Sequence, residues 1–279
     1  MAYQTITTIM TNDVADRPAL DAAIDLAGRE GAHLDILCLG IDRTQPEFYY
    51  AGAGAIASQA YYVEAERDAV ALEKSVSEHM NIQGVPFSTR AIAAQSVGLT
   101  QFLRQQIRFT DLVVLPKPYG EGRGAESEAI IESALFDAGV PVLVIPDKKS
   151  LPSNIKQVVI AWNEGSEALV AIRAALPLLI AADSVDITII DPPQHGPDRS
   201  DPGGPLSQLL ARHGVNAEVS VLAKTMPRVA DVLLRHMQDR GADLLVMGAY
   251  GHSRFRESIL GGATRHILES TEFPVFMAH

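Results

Sequence analysis

The chain is most constrained at residues 244–264, which read Leu-Leu-Val-Met-Gly-Ala-Tyr-Gly-His-Ser-Arg-Phe-Arg-Glu-Ser-Ile-Leu-Gly-Gly-Ala-Thr. An apolar run ends at Gly248, two residues separate it from Gly251, and nine more lead to Gly261 and Gly262, where a helical pattern opens. Apolar strand, glycine loop and helix start, in that order, gather backbone N–H groups around an anion. Glycine allows close backbone approach and positive φ, and the unpaired N–H groups and dipole of a helix N-terminus favour negative charge. Thr264 adds a hydroxyl and Arg254 or Arg256 a positive charge. The same glycines equally serve a plain turn that joins a strand to a helix.

Around this stretch the chain alternates strand and helix. Thr5 to Met10 is rich in β-branched residues and reads as a strand. Pro18 to Arg29 carries Leu20, Ala23, Ile24 and Ala27 on one helical face, with Gly31 as a stop. Strands are expected at Leu34 to Leu39, Pro86 to Ile92, Asp111 to Leu115 and Pro141 to Ile145. Helices are expected at Glu64 to His79, Gly98 to Gln106 and Ser127 to Ala138. Gln45 to Ala60 reads as a loop, with Phe48-Tyr49-Tyr50 inside it and Tyr61-Tyr62 just beyond. Such aromatics either stack on a base or cover an edge of the core. Pro146 to Ser153 is a linker, after which the pattern restarts with a strand from Ile155 to Ala161. A helix from Ser166 to Ala181, broken near Pro177, and a strand from Val185 to Ile190 follow. After a proline-rich loop, Asp191 to Pro205, the alternation continues to a last strand, Val275 to Ala278.

Two copies of one unit are visible. Thr110-Asp111-Leu112-Val113-Val114-Leu115 matches Ala242-Asp243-Leu244-Leu245-Val246-Met247, and Gly139-Val140-Pro141-Val142-Leu143-Val144 matches Glu272-Phe273-Pro274-Val275-Phe276-Met277. The pattern predicts an α/β protein of two tandem Rossmann-like units, residues 1–147 and 154–279, each a five-stranded parallel sheet flanked by helices. In open sheets of this kind ligands bind beyond the carboxyl ends of the strands, which is where Gly248 falls.

The run from Ala242 to His279 resembles the nucleotide-binding universal stress proteins, whose signature is Gly-x-x-Gly, nine residues, then Gly and a small residue. The resemblance implies tandem units of the adenine nucleotide α-hydrolase-like fold, with the final strands of the two halves paired about a pseudo-two-fold axis. It further implies an adenine nucleotide (ATP, ADP or AMP, with Mg2+ as companion) held by Ala161, Asn163, Ile190, Gly248, Gly251, His252, Arg254, Gly261, Gly262, Ala263 and Thr264. The family usually carries Ser or Thr directly after the third glycine; this chain has Gly262 there, and its nearest hydroxyl is Thr264. Asn163 stands where family members often place an Asp that touches base or ribose. Asn both donates and accepts, so it suits an adenine edge or an ordinary turn. Trp162 beside it is a stacking or a core residue.

The first copy lacks the nest. Pro116-Lys117-Pro118-Tyr119-Gly120-Glu121-Gly122 follows its strand, proline supplies no N–H, and Glu126, Glu128 and Glu132 would repel phosphate. It reads as a structural partner, a site for another ligand, or a divergent second site on Gly120, Gly122 and Gly124.

A formal net charge of −11 over 279 residues argues against nucleic acid as a partner, while a mononucleotide needs only a local nest of N–H groups. The single cysteine, Cys38, lies in an apolar run and reads as core, which fits a reducing cytoplasm. No run approaches the roughly 20 apolar residues of a membrane span. His252, His266 and His279 lack metal-ligand spacing, and no nucleophile elbow or Walker lysine is present. Two functions remain. One is a nucleotide-binding stress-response protein acting on an unknown protein partner, as a pseudo-dimer of its halves or a homodimer. The other is a slow ATP-hydrolysing or phosphoryl-transfer enzyme of the same superfamily, with Arg254, Arg256 and Arg265 to neutralise charge. A member that no longer binds nucleotide is a variant of the first.

Overall fold

The computed structural model describes residues 3–42, 53–192, 201–249 and 262–279, in two compact units. The N-terminal unit, Tyr3–Pro116 with Glu121–Val140, holds β1 (Thr5–Met10), α1 (Arg17–Glu30), β2 (His33–Asp42), α2 (Ala53–Met80), β3 (Phe87–Gln95), α3 (Leu99–Ile107), β4 (Leu112–Pro116) and α4 (Ala125–Glu132). A π-helical turn, Ser133–Asp137, continues α4. Its strands lie in the order β3-β2-β1-β4, all parallel. Apart from Thr5, every residue of β1 is buried, on both faces. That continuous burial is what helices on both sides of a parallel sheet produce. On α1, Leu20, Ala23, Ile24, Leu26 and Ala27 are buried, and Gly31 ends the helix at φ 67, a left-handed cap that glycine adopts without strain.

The C-terminal unit, Lys117–Gly120 with Pro141–His279, holds β5 (Val142–Ile145), β6 (Gln157–Ala161), α5 (Ser166–Ala174), α6 (Leu176–Ala181), β7 (Ser184–Ile190), α7 (Gly204–Arg212), β8 (Ala217–Leu222), α8 (Val229–Asp239), β9 (Leu244–Gly248), α9 (Gly262–Ser270) and β10 (Val275–Ala278). Its strand order is β5-β10-β9-β6-β7-β8. The last five strands are mutually parallel, whereas β5 runs antiparallel to β10, with Val144 opposite Val275. The strand expected to complete the first sheet therefore packs in the second compact unit. Its four residues are all buried and pair with the equally apolar β10, which gains more than an exposed edge would.

The expected break near Pro177 is present: α5 ends at Ala174 and Pro177 sits in the first turn of α6, where its missing N–H costs nothing. One loop assignment is corrected. Helix α2 begins at Ala53, so residues 53–60 are helical and Tyr61 and Tyr62 are helix residues, each about half exposed. The alanines of this segment favour helix more than its glycine opposes it. Phe48, Tyr49 and Tyr50 lie outside the described residues. No described helix is long and apolar enough to cross a membrane.

In the C-terminal unit the chain winds outward from β6 through β7 to β8 and then returns to place β9 on the other side of β6. The N-terminal unit does the same about β1 and β4. Each reversal leaves a crevice at the carboxyl ends of the two strands, the switch point where open α/β sheets take ligands.

Candidate functional site

Three residues singled out in the sequence meet at the C-terminal switch point. Ala161 ends β6 and lies opposite Met247 on one side and Thr188 on the other. Gly248 is one residue beyond Met247, and Ile190 is two beyond Thr188. Their strands are neighbours at the usual spacing of about 4.8 Å, so the three form one rim.

Gly248 has a packing reason to be glycine. A Cβ there would lie 2.5 Å from Ala168 N and 2.7 Å from the carbonyl carbon of Glu167, both in the first turn of α5. The close approach that this glycine permits is thus to α5. A larger residue here would meet backbone, which cannot rotate away, so it would disturb the packing of α5 before it met any ligand.

The loop after β6 carries Asn163. Its Oδ1 accepts a hydrogen bond from Gly165 N at 3.0 Å, the turn role that Asn performs at helix starts. Its Nδ2 has no partner among the described residues and is exposed on the rim. Among the described residues, the non-glycine residues at positive φ are Glu164 (φ 61) and Asp191 (φ 50). They stand in the loops directly after β6 and β7. Left-handed backbone costs such residues on the order of 1 kcal/mol, and strain of this kind gathers at functional sites.

The helix after β9 is aimed at the same rim. Only Thr271 to Pro274 connect α9 to the start of β10, so α9 runs back from the amino edge of the sheet and presents its N-terminus towards the carboxyl edge. Gly262 and Ala263 in its first turn are exposed, while Thr264 is 4% exposed. No atom of the described residues lies within 4 Å of a Cβ placed on Gly262, and its φ is outside the left-handed region. The helix is tied to α8 by His266, whose Nε2 lies 2.8 Å from Asp231 Oδ1, with Arg228 Nη1 2.9 Å from its Nδ1. His279 Nδ1–H donates to Ala249 O at 2.9 Å and holds the chain just past Gly248. Two of the three histidines weighed as metal ligands thus have structural partners. No group of three His, Cys, Asp or Glu suited to a metal occurs among the described residues. Gly251, His252, Arg254 and Gly261 lie outside the described residues.

The corresponding crevice of the N-terminal unit is filled by its own side chains. Arg123, from the segment between β4 and α4, pairs with Asp16 at the start of α1; their side chains are 4% and 2% exposed. Arg123 Nη2 also donates to Ala15 O at 2.7 Å. Asp16 Oδ2 accepts from Thr11 N at 2.7 Å, Asn12 N at 2.9 Å and Thr11 Oγ1 at 3.1 Å. The small cavity that remains is lined by Ile9, Thr11, Asp16, Pro116, Arg123 and Ser127 among others. Pro116 occupies the strand end that Gly248 occupies in the other unit. Nearby, burial and then the charges of Glu128 and Asp137 push the Glu132 carboxyl up to about 7.

Residues 154–279 match the family model described as the universal stress protein family. This C-terminal part of the chain is a universal stress protein domain. The chain is 27% identical over 172 residues to Universal stress protein Slr1230 of Synechocystis sp., an alignment that covers 59% of this chain and 56% of that protein, so it spans little more than half the length of this relative. A universal stress protein from Archaeoglobus fulgidus DSM 4304 superposes with a TM-score of 0.72 at 13% identity, covering 98% of this chain and 95% of that one. A protein of unknown function from Pseudomonas aeruginosa PAO1 superposes with a TM-score of 0.62 at 16% identity, covering 99% and 92%. At these identities the structural likeness speaks for the fold.

The sequence marks the strand ends and the helix start of this universal stress protein domain, but it does not mark the Arg123–Asp16 pair of the N-terminal unit or the strained acids. Arg123 had a signal: it is a lone cation between Gly122 and Gly124 in an otherwise acidic segment. Asp191 and Glu164 had none, because φ at a single polar residue leaves no periodic trace.

Proposed function

We propose that the C-terminal unit binds an adenine nucleotide, ATP, ADP or AMP, at its switch-point rim, and that occupancy changes the surface offered to a protein partner. The observation that carries this reading is the convergence of Ala161, Ile190 and Gly248 on one rim, with the N-terminus of α9 directed to the same edge. The first N–H groups of α9, at Gly262 and Ala263, suit the phosphates, since a helix N-terminus favours an anion. A Mg2+ ion would arrive with them and offset their charge. Asn163 Nδ2 suits an acceptor on the base. The N-terminal unit has Pro116 and the Arg123–Asp16 pair at the corresponding place, so one nucleotide per chain is expected.

The test is mass spectrometry of small molecules released on denaturing protein purified without added ligand, joined to calorimetry with ATP, ADP and AMP. Release of an adenine nucleotide, or binding of one equivalent, supports the reading. No release and no binding heat with millimolar nucleotide overturns it. Production of ADP from excess ATP would shift the reading to slow hydrolysis.

A further inference from the structure

We infer that Arg228 binds the phosphate chain of the nucleotide beyond its first phosphate, so that the site ranks ATP and ADP above AMP. The inference rests on the nucleotide reading above and adds a residue and a ranking to it.

Arg228 is the N-cap of α8, with φ −111 and ψ 135 and no capping hydrogen bond from its side chain. Helix α8 follows β8 and returns to the start of β9, so its N-terminus stands at the carboxyl edge of the sheet, as that of α9 does. On local grounds arginine is the wrong residue for this position. An N-cap favours Ser, Thr, Asp or Asn, and a cation there meets the positive end of the helix dipole. Arg228 is exposed and forms no ion pair among the described residues. A residue that opposes its own helix and is not otherwise committed points to a role outside that helix.

Its guanidinium is directed to α9. Nη1 lies 2.9 Å from His266 Nδ1 and 3.1 Å from Nε2. Near-equal distances to both ring nitrogens set the guanidinium against the imidazole, not in line with one lone pair, a flat contact that suits arginine. The ring is held in turn by Asp231, whose Oδ1 lies 2.8 Å from Nε2. His266 comes four residues after Gly262, so the two share one face of α9, about 6 Å apart along the axis. A helical side chain leans back over the turn before it, which brings ring and guanidinium beside the first turn of α9. The first phosphate rests on that turn in the reading above, and AMP ends there. The further phosphates of ADP and ATP gain from a cation within about one helical turn, and the planar fork of Arg228 matches phosphate oxygens. The acids nearby are already engaged, Asp231 with His266 and Glu269 with Arg265 Nε at 2.7 Å.

The experiment measures the affinity of the full chain for ATP, ADP and AMP by calorimetry in magnesium buffer, in wild type, Arg228→Gln and Arg228→Lys. Wild type is expected to bind ATP and ADP more tightly than AMP. Arg228→Gln should lose about ten- to hundredfold in affinity for ATP and ADP, the range for a hydrogen bond to a charged group, and keep its affinity for AMP. Arg228→Lys, which keeps the charge without the fork, should lose less. Melting followed by circular dichroism checks the fold, and Arg228→Gln should melt no lower than wild type, because it relieves the start of α8 of a cation. Equal binding of ATP and AMP by wild type, an unchanged ranking in a folded Arg228→Gln, or an equal loss for all three nucleotides overturns the inference and leaves the nucleotide reading intact. Failure of wild type to bind any of the three overturns the nucleotide reading and this inference with it.

Discussion

Gly248 lies against the backbone of Ala168, so closely that a Cβ on the glycine would fall 2.5 Å from the Ala168 amide nitrogen. This contact sets the distance between the end of β9 and the first turn of α5. Gly248→Val is therefore a packing change before it is a ligand change. It should destabilise the chain by about 1–3 kcal/mol, as overpacking does, and by more if α5 cannot shift. Urea denaturation followed by circular dichroism measures it. An unchanged midpoint would mean that α5 yields freely and that the glycine serves something other than packing.

Arg123 and Asp16 form a buried ion pair that closes the N-terminal crevice. Breaking such a pair leaves an uncompensated charge and costs about 3–5 kcal/mol, whereas replacing both partners with apolar groups can be nearly neutral. Arg123→Met alone should be strongly destabilising. Arg123→Met combined with Asp16→Asn should recover part of that loss, because Asn still offers an acceptor to Thr11 N and Asn12 N. A double-mutant cycle in urea reads the coupling directly. Additive effects would show that the pair contributes little beyond its separate hydrogen bonds.

The strands were readable because most of their residues suit a buried sheet: β4 and β9 are apolar runs, β6 is apolar after Gln157 and β1 is rich in β-branched residues, and the ends of β6, β7 and β9 place Ala161, Ile190 and Gly248. The alternation also gave the switch point. Two things were not readable. The partner of a strand is a long-range property, so nothing local to Val142–Ile145 tells that it pairs with β10; the family resemblance alone supplied that pairing, and the residues did not show that the strand packs with the C-terminal unit. The reason for a glycine is equally non-local: Gly248 and Gly262 look alike in sequence, yet one is pressed against a helix and the other meets no atom of the described residues within 4 Å.

Glu132 makes stability depend on pH. Its carboxyl is pushed from 4.5 up to about 7, first by burial and then by Glu128 and Asp137. The folded state thus holds a proton that the unfolded state releases, and between pH 4.5 and about 7 folding is weakened as pH rises. The contribution is present in full below 4.5 and is lost as pH passes through about 7. Glu132→Gln should remove this slope and raise the melting temperature at pH 8 more than at pH 5. Equal shifts at both values would place the titration elsewhere.

By its resemblance to the family signature Gly262 stands where Ser or Thr is expected, and its described surroundings say what a hydroxyl there would do. Among the described residues no atom lies within 4 Å of a Cβ built on it, and its φ is not left-handed, so serine fits there without backbone strain. Two effects follow from Gly262→Ser. The first turn of α9 loses less backbone entropy on folding. If the phosphates rest on that turn, the new hydroxyl adds a hydrogen bond to a charged group, worth about 1.5–3 kcal/mol and less where it displaces a well-placed water. ATP affinity should rise about tenfold, and up to a hundredfold if no water is lost. Calorimetry with ATP reads the second effect, and thermal melting without ligand reads the first. The two separate cleanly: a higher melting temperature with unchanged ATP affinity would place the phosphates away from Gly262 and leave α9 as a structural helix alone.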